Sequence, residues 1–331
     1  MDILFVGAKG KMEMEKIPEA GYPIKGIDIA GYNRSSLTKN FSLPYKLIKS
    51  FFQVKNIFRS FRPQAAIGVG GYSTYPVLRY AQAKGIPSFI HESNSFAGKA
   101  NMMLGKKATR IFAASDGMEK FFPAARLLYT GNPVRKNVVA NQILREEGIR
   151  FFGLDPTYTT VLVTGGSLGA RSMNEAIDAG IPLLVKNQLQ LIWQTGKSFA
   201  AQAAAHAVES KLIWTSEFIS RMEYAYAAAD IVVSRSGSVL YELCAVRKPV
   251  IFVPYPHAAE DHQTKNAENL VKKNAAILIA DGDARDNLVS EILRLAKNKQ
   301  EQEILKENIG KLAITDADEK IATEILKVLN G

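Results

Sequence analysis

Polar and acidic side chains follow two apolar runs in the second half of the chain. After the run DIVVSRSG, Glu242 falls in the first turn of a predicted helix. A carboxylate there either stabilises the helix dipole or accepts hydrogen bonds from the two hydroxyls of a ribose. The second run is followed by residues 255–267, whose His, Glu, Asp, Gln and Asn side chains can bind sugar hydroxyls. Their spacing matches no regular metal-ligand pattern, so we expect no metal.

A glycine-rich segment offers a different chemistry. Gly165, Gly166 and Gly169 follow an apolar run and precede a predicted helix. Backbone N–H groups at a helix start attract phosphate, although the same glycines also suit an ordinary tight turn. A nicotinamide enzyme needs an acidic residue at the end of the next strand, and this chain has Gln194 there. The sequence therefore disfavours a dehydrogenase, and we expect no cofactor.

Apolar runs that alternate with helical stretches must position these loops. SFIHE (88–92) is one such run in the first half, and the pattern restarts near residue 160. This alternation predicts parallel sheets with right-handed crossovers. We therefore expect an α/β protein with two Rossmann-like domains, 1–136 and 137–331, which face an interdomain cleft and bind ligand at the carboxyl ends of their strands. The last helix is expected to cross back to the first domain.

Composition narrows the classes of partner. The chain has 331 residues and a net charge of +10, which favours an anionic partner. The basic residues form no single tail, so we expect no nucleic acid. The chain contains one cysteine, Cys244, which indicates a reducing compartment. It has no basic leader segment and no run of about 18 apolar residues that could span a bilayer.

Six short motifs, taken in order, resemble the MurG family of bacterial glycosyltransferases. They are GGY, HE-x-N-x-x-A-G-x-x-N, GNPVR, GGS-x-GA, SR-x-G and EDHQTKNA. The resemblance implies the GT-B fold and a peripheral enzyme at the cytoplasmic face of the cell membrane. It also implies an inverting, metal-independent transfer of N-acetylglucosamine from UDP-N-acetylglucosamine to undecaprenyl-pyrophosphoryl-N-acetylmuramyl-pentapeptide (lipid I), which forms lipid II for peptidoglycan.

The same resemblance assigns residues to a donor site. Glu242 resembles the family's ribose-binding glutamate, and Gln263 resembles the glutamine that binds the N-acetylglucosamine hydroxyls. The backbone of Ile219 resembles the uracil contact. The remaining matches to donor-site positions are Ser167 in the glycine loop, Asn94 and Arg135.

The start of the chain differs from the family pattern. The family opens with a strand and a G-G-T-G-G-H loop, whose histidine is proposed to act as base, whereas this chain begins at what resembles the second strand. We therefore expect Met1 to be internal or a misassigned start, the base to be unknown with His91 as a weak substitute, and little transferase activity from the chain alone. Two alternatives are a UDP-sugar 2-epimerase of the same architecture and a non-catalytic nucleotide- or lipid-binding remnant.

Residues 43–62 predict an amphipathic helix. One line would pack on a sheet, and it comprises Leu47, Phe51, Val54, Phe58 and Phe61. The adjacent flank mixes apolar and basic side chains. Such a flank suits an anionic membrane surface, or else a buried helix with a solvated basic edge. The flank comprises Tyr45, Ile48, Phe52, Lys55, Arg59 and Arg62.

Overall fold

The structure is a computed structural model, and it describes residues 2–31, 41–140, 142–166 and 169–331. Strands and helices alternate along nearly all of this length. No helix in the described part of the chain is long and apolar enough to cross a membrane.

The chain divides into two compact units. The first comprises Met1–Ser93, Ala97–Gly131 and Glu319–Gly331, and the second comprises Asn94–Phe96 and Asn132–Asp318. The domain limits expected from the sequence, 1–136 and 137–331, stay a prediction.

Six short strands form the sheets of the first unit. They are β1 (Phe5–Ala8), β2 (Ile24–Ile27), β3 (Ala66–Gly68), β4 (Ser88–Glu92), β5 (Arg110–Ala113) and β6 (Leu127–Tyr129). β1 pairs with β2, and the other four are arranged in the order β3-β4-β5-β6. Every pairing is parallel. The helices between them are α1 (Glu13–Glu19), α2 (Leu43–Phe61), α3 (Thr74–Ala83) and α4 (Lys99–Gly105).

The four-stranded sheet of the first unit is covered on both faces. All five residues of β4 are buried, as expected for a parallel strand between two layers. Ile90 and Ile111 belong to the larger apolar cluster on one face. Phe89 and Phe112 stack with ring centroids 6.0 Å apart and pack with Ile321 on the other face.

The second unit is built on one parallel sheet of six strands. They are β7 (Thr159–Thr164), β8 (Leu189–Gln194), β9 (Ile213–Ser216), β10 (Ile231–Ser234), β11 (Val250–Phe252) and β12 (Ile277–Leu278). Their order is β12-β11-β10-β7-β8-β9. Because the chain leaves β7 toward β8 on one side and later returns to β10 on the other, the order reverses between β7 and β10. Ligands of open α/β sheets bind at such a reversal, outside the carboxyl ends of the strands.

Helices cover both faces of this sheet. They are α5 (Lys136–Val139), α6 (Arg145–Phe151), α7 (Arg171–Lys186), α8 (Ala200–Glu209), α9 (Met222–Ala228), α10 (Val239–Val246), α11 (His262–Val271), α12 (Ala284–Lys297) and α13 (Lys299–Gly310), followed by α14 (Ala317–Asn330) at the end of the chain. Val161 and Val163 of β7 enter one apolar cluster, whereas Leu162 enters the other. This alternation follows from the two-residue period of a strand.

Candidate functional site

The loop after β7 requires glycine at two of its described positions, Gly165 and Gly169. A Cβ atom on Gly165 would lie 2.4 Å from the backbone nitrogen of Ala170. Gly169 has φ +76°, and a Cβ atom there would lie 2.2 Å from the carbonyl oxygen of Thr195. The loop therefore packs directly on the end of β8 and brings backbone to the start of α7, as an anion-binding loop requires. Ser167, expected to contact the donor, lies outside the described residues.

Gln194, at the end of β8, joins this loop to the segment after β9. Its Nε2 donates to the carbonyl oxygen of Gly166 at 3.0 Å and to Oγ1 of Thr164 at 3.3 Å. Its Oε1 accepts from the backbone N–H of Ile219 at 2.9 Å. That N–H, which belongs to the expected uracil contact, is thus paired with Gln194. In the sequence, Gln194 marked only the place of a missing acid. The signal for its supporting role is that a polar residue ends a buried apolar strand.

Glu242 lies in the first turn of α10, and its carboxylate is held from two sides. Arg135 binds it in a bidentate manner, with Nε 2.7 Å from Oε1 and Nη2 2.8 Å from Oε2. Tyr226 of α9 donates its hydroxyl to Oε2 at 2.8 Å. Tyr226 is fully buried, and burial followed by the Glu242 charge raises its pKa well above the usual value. Tyr226 therefore remains a donor at neutral pH. The structure pairs Arg135 with Glu242, two residues that the sequence indicated separately, and it adds Tyr226, which the sequence did not indicate.

Gln263 lies at the start of α11, beside the loop that follows β10. The side-chain Oε1 of Gln263 accepts from the backbone N–H of Tyr255 at 2.9 Å. The backbone carbonyl oxygen of Gln263 accepts from the Ser236 hydroxyl at 2.8 Å. The first bond orients the carboxamide, and the second holds the backbone at the start of α11. The carboxamide Nε2 lies 3.8 Å from where a Cβ atom of Gly237 would be. The absence of a side chain at Gly237 therefore leaves room in front of the Gln263 donor group.

Asn94 belongs to a short segment grouped with the second unit. Asn266 of α11 is fully buried; its Oδ1 accepts from the backbone N–H of Ser95 at 2.8 Å and its Nδ2 lies 3.4 Å from Oδ1 of Asn94. The Lys265 ammonium lies 3.5 Å from the ring centroid of Phe96. α11 therefore holds the backbone that carries Asn94. Among the expected donor-site residues, Asn94, Arg135, Ile219, Glu242 and Gln263 all fall in the second unit.

His91 lies in β4 of the first unit. It is 7 % exposed, and its Nε2 lies 3.2 Å from the carbonyl oxygen of Gly131. Burial lowers the pKa of the imidazole, so the neutral form is favoured, with Nε2–H donating to that carbonyl. Only Nδ1 is then left as a proton acceptor. The role of His91 as a base stays a prediction. Among the described residues, no three His, Cys, Asp or Glu side chains form a group that could hold a metal ion.

Arg235 anchors the loop after β10. Its Nη1 donates to the carbonyl oxygens of Val253 and Pro254 at 2.8 and 2.9 Å and forms an ion pair with Asp281. The guanidinium is only 12 % exposed, so this pair is largely shielded from water. Arg235 therefore ties the loop of Gly237 to the ends of β11 and β12, which fixes the edge where Gln263 lies.

The expected membrane flank of α2 is exposed. Val54 and Phe58 are buried, and Leu47 and Phe51 are partly buried, which confirms the packed line. On the flank, Tyr45, Ile48 and Phe52 expose 68, 60 and 63 % of their surface. The basic residues of the flank, Lys55, Arg59 and Arg62, are also exposed.

Comparison with known proteins defines the class. Models of the N-terminal and C-terminal domains of glycosyltransferase family 28 match residues 1–113 and 160–321. The crystal structure of Acinetobacter baumannii MurG aligns with a TM-score of 0.78 at 24 % identity, covering 98 % of this chain and 91 % of that one. A UDP-GlcNAc 2-epimerase from Neisseria meningitidis, solved with UDP-GlcNAc, aligns at 0.65 and 14 % identity, covering 99 % and 100 %. These likenesses show the GT-B fold of a glycosyltransferase, as expected from the motifs.

A relative with high sequence identity identifies the family within this class of glycosyltransferases. The UDP-N-acetylglucosamine--N-acetylmuramyl-(pentapeptide) pyrophosphoryl-undecaprenol N-acetylglucosamine transferase of Phocaeicola vulgatus is 47 % identical over an alignment 331 positions long, which covers 99 % of this chain and 88 % of that protein. The chain belongs to the MurG family within glycosyltransferase family 28. Membership confirms both the family recognised from the six motifs and the expectation of a glycosyltransferase.

Proposed function

We propose that the protein transfers N-acetylglucosamine from UDP-N-acetylglucosamine to lipid I and so forms lipid II. The observation that carries this proposal is the 47 % identity, over 99 % of the chain, to a transferase named for that reaction. The arrangement at the sheet reversal supports a nucleotide-sugar donor. A glycine loop follows β7, a held carboxylate lies in the first turn of the helix after β10, and a held carboxamide lies at the start of the helix after β11.

Each of these groups suits one part of the donor. The glycine loop leads into the start of α7, and backbone N–H groups at a helix start suit a diphosphate. Glu242 offers carboxylate oxygens to the ribose hydroxyls, and Gln263 offers amide hydrogens to sugar hydroxyls. Ser167, Asn94 and the backbone of Ile219 complete the proposed donor site.

The proposed chemistry is a displacement with inversion. A hydroxyl of the acceptor sugar attacks the anomeric carbon, the bond to the diphosphate breaks, and UDP leaves with the electron pair. The hydroxyl proton passes to a base that we leave unassigned, because His91 is buried and bonded to a backbone carbonyl. Backbone N–H groups of the glycine loop and the Arg135 guanidinium are suited to stabilise charge on the leaving diphosphate.

We further propose that α2 binds an anionic membrane surface. Phe41, which is 86 % exposed, extends the apolar flank of Tyr45, Ile48 and Phe52 toward the amino end. Steps of four and three residues continue this line into Lys55, Arg59 and Arg62. One stripe is thus apolar in its first half and cationic in its second. Such a helix would bury its amino-terminal half among acyl chains and keep its carboxyl-terminal half at anionic headgroups.

A membrane site fits the proposed reaction, because lipid I carries its sugar on a polyprenyl chain. The donor is a charged nucleotide-sugar that does not cross a bilayer unaided. We therefore propose that the protein acts on the cytoplasmic face.

The test is a transfer assay with UDP-N-acetylglucosamine and lipid I in anionic vesicles, with products identified by mass spectrometry. We expect a lipid-linked disaccharide and one UDP per transfer, formed at the low rate that the sequence predicts for this chain alone, and a kcat/KM that is lower still for Glu242→Ala. Formation of a 2-epimer without acceptor would instead support an epimerase. Failure of the protein to bind UDP-N-acetylglucosamine in calorimetry would refute the proposal.

A further inference from the structure

Three hydrogen bonds leave the Glu242 carboxylate almost no free capacity for a ribose. A carboxylate offers about four acceptor positions, two on each oxygen. Arg135 Nε uses one position on Oε1, while Arg135 Nη2 and the Tyr226 hydroxyl use both positions on Oε2. Two neighbouring ribose hydroxyls need one free position on each oxygen. They therefore cannot both bind while Arg135 stays in place.

The two partners of Glu242 differ in how easily they can leave. Tyr226 is 1 % exposed and sits in the core of the second unit, so it donates from a fixed position. The Arg135 side chain is 48 % exposed, whereas that of Glu242 is 15 % exposed. An ion pair open to water contributes little to stability, and a long arginine side chain moves readily. Arg135 is therefore the partner that a ligand can displace.

We infer that Arg135 occupies the ribose site until a nucleotide diol displaces it, and that Tyr226 remains as the positioning residue of Glu242. The inference rests on the proposed ribose-binding role of Glu242. Loss of the two arginine donors frees one position on each carboxylate oxygen, which matches a pair of adjacent hydroxyls. The released guanidinium then finds a new anionic partner in the diphosphate of the same ligand. The ribose of the donor thus replaces Arg135 as the partner of Glu242, and the diphosphate replaces Glu242 as the partner of Arg135.

This exchange predicts opposite effects of one substitution on two ligands. Arg135→Gln removes the competitor and the charge together. In calorimetry, uridine should bind the variant about two- to fivefold more tightly than the wild type, since an exposed ion pair no longer has to break. UDP should bind the variant more weakly, because its diphosphate loses a cation. Unchanged or weaker uridine binding by Arg135→Gln would overturn the exchange.

Tyr226→Phe tests the positioning role. The affinity ratio of uridine to 2′,3′-dideoxyuridine should fall about tenfold, because Glu242 loses a charge-assisted hydrogen bond that orients it. Tyr224→Phe, on the same helix, is the matched control, since the Tyr224 ring stacks on Phe151 at 4.4 Å. Thermal unfolding checks that both variants fold. If Tyr226→Phe weakens both nucleosides equally, the hydroxyl is merely structural and the positioning role is wrong.

Glu242→Gln separates this inference from the proposed function. If the variant binds uridine and UDP as tightly as the wild type, the ribose site itself is misassigned and the donor assignment fails. If Glu242→Gln weakens both ligands but Arg135→Gln does not tighten uridine, only the exchange is wrong.

Discussion

Gln194 and Ile219 are joined by a 2.9 Å hydrogen bond from the Ile219 backbone N–H to the Gln194 carboxamide. The other end of that carboxamide donates to the carbonyl of Gly166. Gln194 is 2 % exposed, so water cannot readily replace either bond. One buried side chain thus connects the proposed phosphate loop with the proposed uracil contact.

Gln194→Leu should lower the free energy of unfolding by about 1–3 kcal/mol, since it leaves the buried backbone N–H of Ile219 without a partner. The same variant should weaken UDP binding, because the two loops lose their common support. Chemical denaturation and calorimetry measure the two effects. Gln202→Leu, on the exposed side of α8, is the control and should change stability by less than about 0.5 kcal/mol. Equal stability of the two variants would contradict a supporting role for Gln194.

Glu242→Ala should weaken binding of UDP-N-acetylglucosamine by roughly 1–3 kcal/mol, because two ribose hydroxyls lose their acceptor. Calorimetry checks this directly. Glu303→Ala, which removes an exposed carboxylate paired with Lys306 on α13, should leave the affinity unchanged. Equal affinity of wild type and Glu242→Ala would refute the ribose assignment.

Lys248 should make stability depend on pH. Its ammonium donates to the carbonyl oxygen of Ala229 at 2.7 Å, and burial lowers its pKa from 10.5 to about 8, although Asp230 opposes that shift. Between about pH 8 and 10.5 the unfolded chain holds the proton more firmly than the folded protein. Stability therefore rises with pH across this window, and the full penalty of burying the charge is present below it.

The measurement compares unfolding midpoints of the wild type and Lys248→Met from pH 7 to 10.5. The difference between them isolates Lys248 from other titrating groups. We expect the wild type to gain stability relative to the variant as pH rises. A constant difference across this range would show that the pKa of Lys248 is not lowered by folding.

Membrane binding through α2 should depend on charge and apolar contact together. Changing Lys55, Arg59 and Arg62 together to Glu should release the protein from anionic vesicles at low salt, since attraction becomes repulsion. Phe52→Ser should weaken binding to the same vesicles by removing a 63 % exposed apolar group. Co-sedimentation measures both.

The control for this experiment reverses three exposed cations elsewhere, Lys186, Lys297 and Lys311. If this control releases the protein as fully as the α2 variant does, binding reflects net charge alone. Unchanged sedimentation of the α2 variant would show that this helix is not the membrane site.

The local sequence predicted those strands in which the apolar residues form an unbroken run. SFIHE became β4 at residues 88–92 because an unbroken apolar run suits a strand covered on both faces. β2 was missed because Lys25 and Gly26 interrupt its apolar residues, and glycine weakens a strand signal. Its pairing with β1 depends on contacts that no local pattern encodes.

In the candidate site, too, the sequence indicated single residues but not the contacts between them. The motifs indicated Arg135 and Glu242 separately, but their pairing joins residues 107 positions apart in the chain. Tyr226 lies in the helical stretch MEYAYAA, where its spacing predicts only a core residue. The fold places α9 beside α10, and only there does the Tyr226 hydroxyl meet Glu242.

The chain passes between its two units four times, after Ser93, Phe96, Gly131 and Asp318. No single cut can therefore release either unit whole. A gene fragment for residues 132–318 would omit Asn94–Phe96 and leave the Asn266 carboxamide without the Ser95 N–H that it accepts from. To isolate the second unit, the tripeptide Asn94–Phe96 would have to be supplied as a separate peptide. To isolate the first unit, residue 131 would be joined to residue 319 through a linker, so that α14 stays with the sheet it covers.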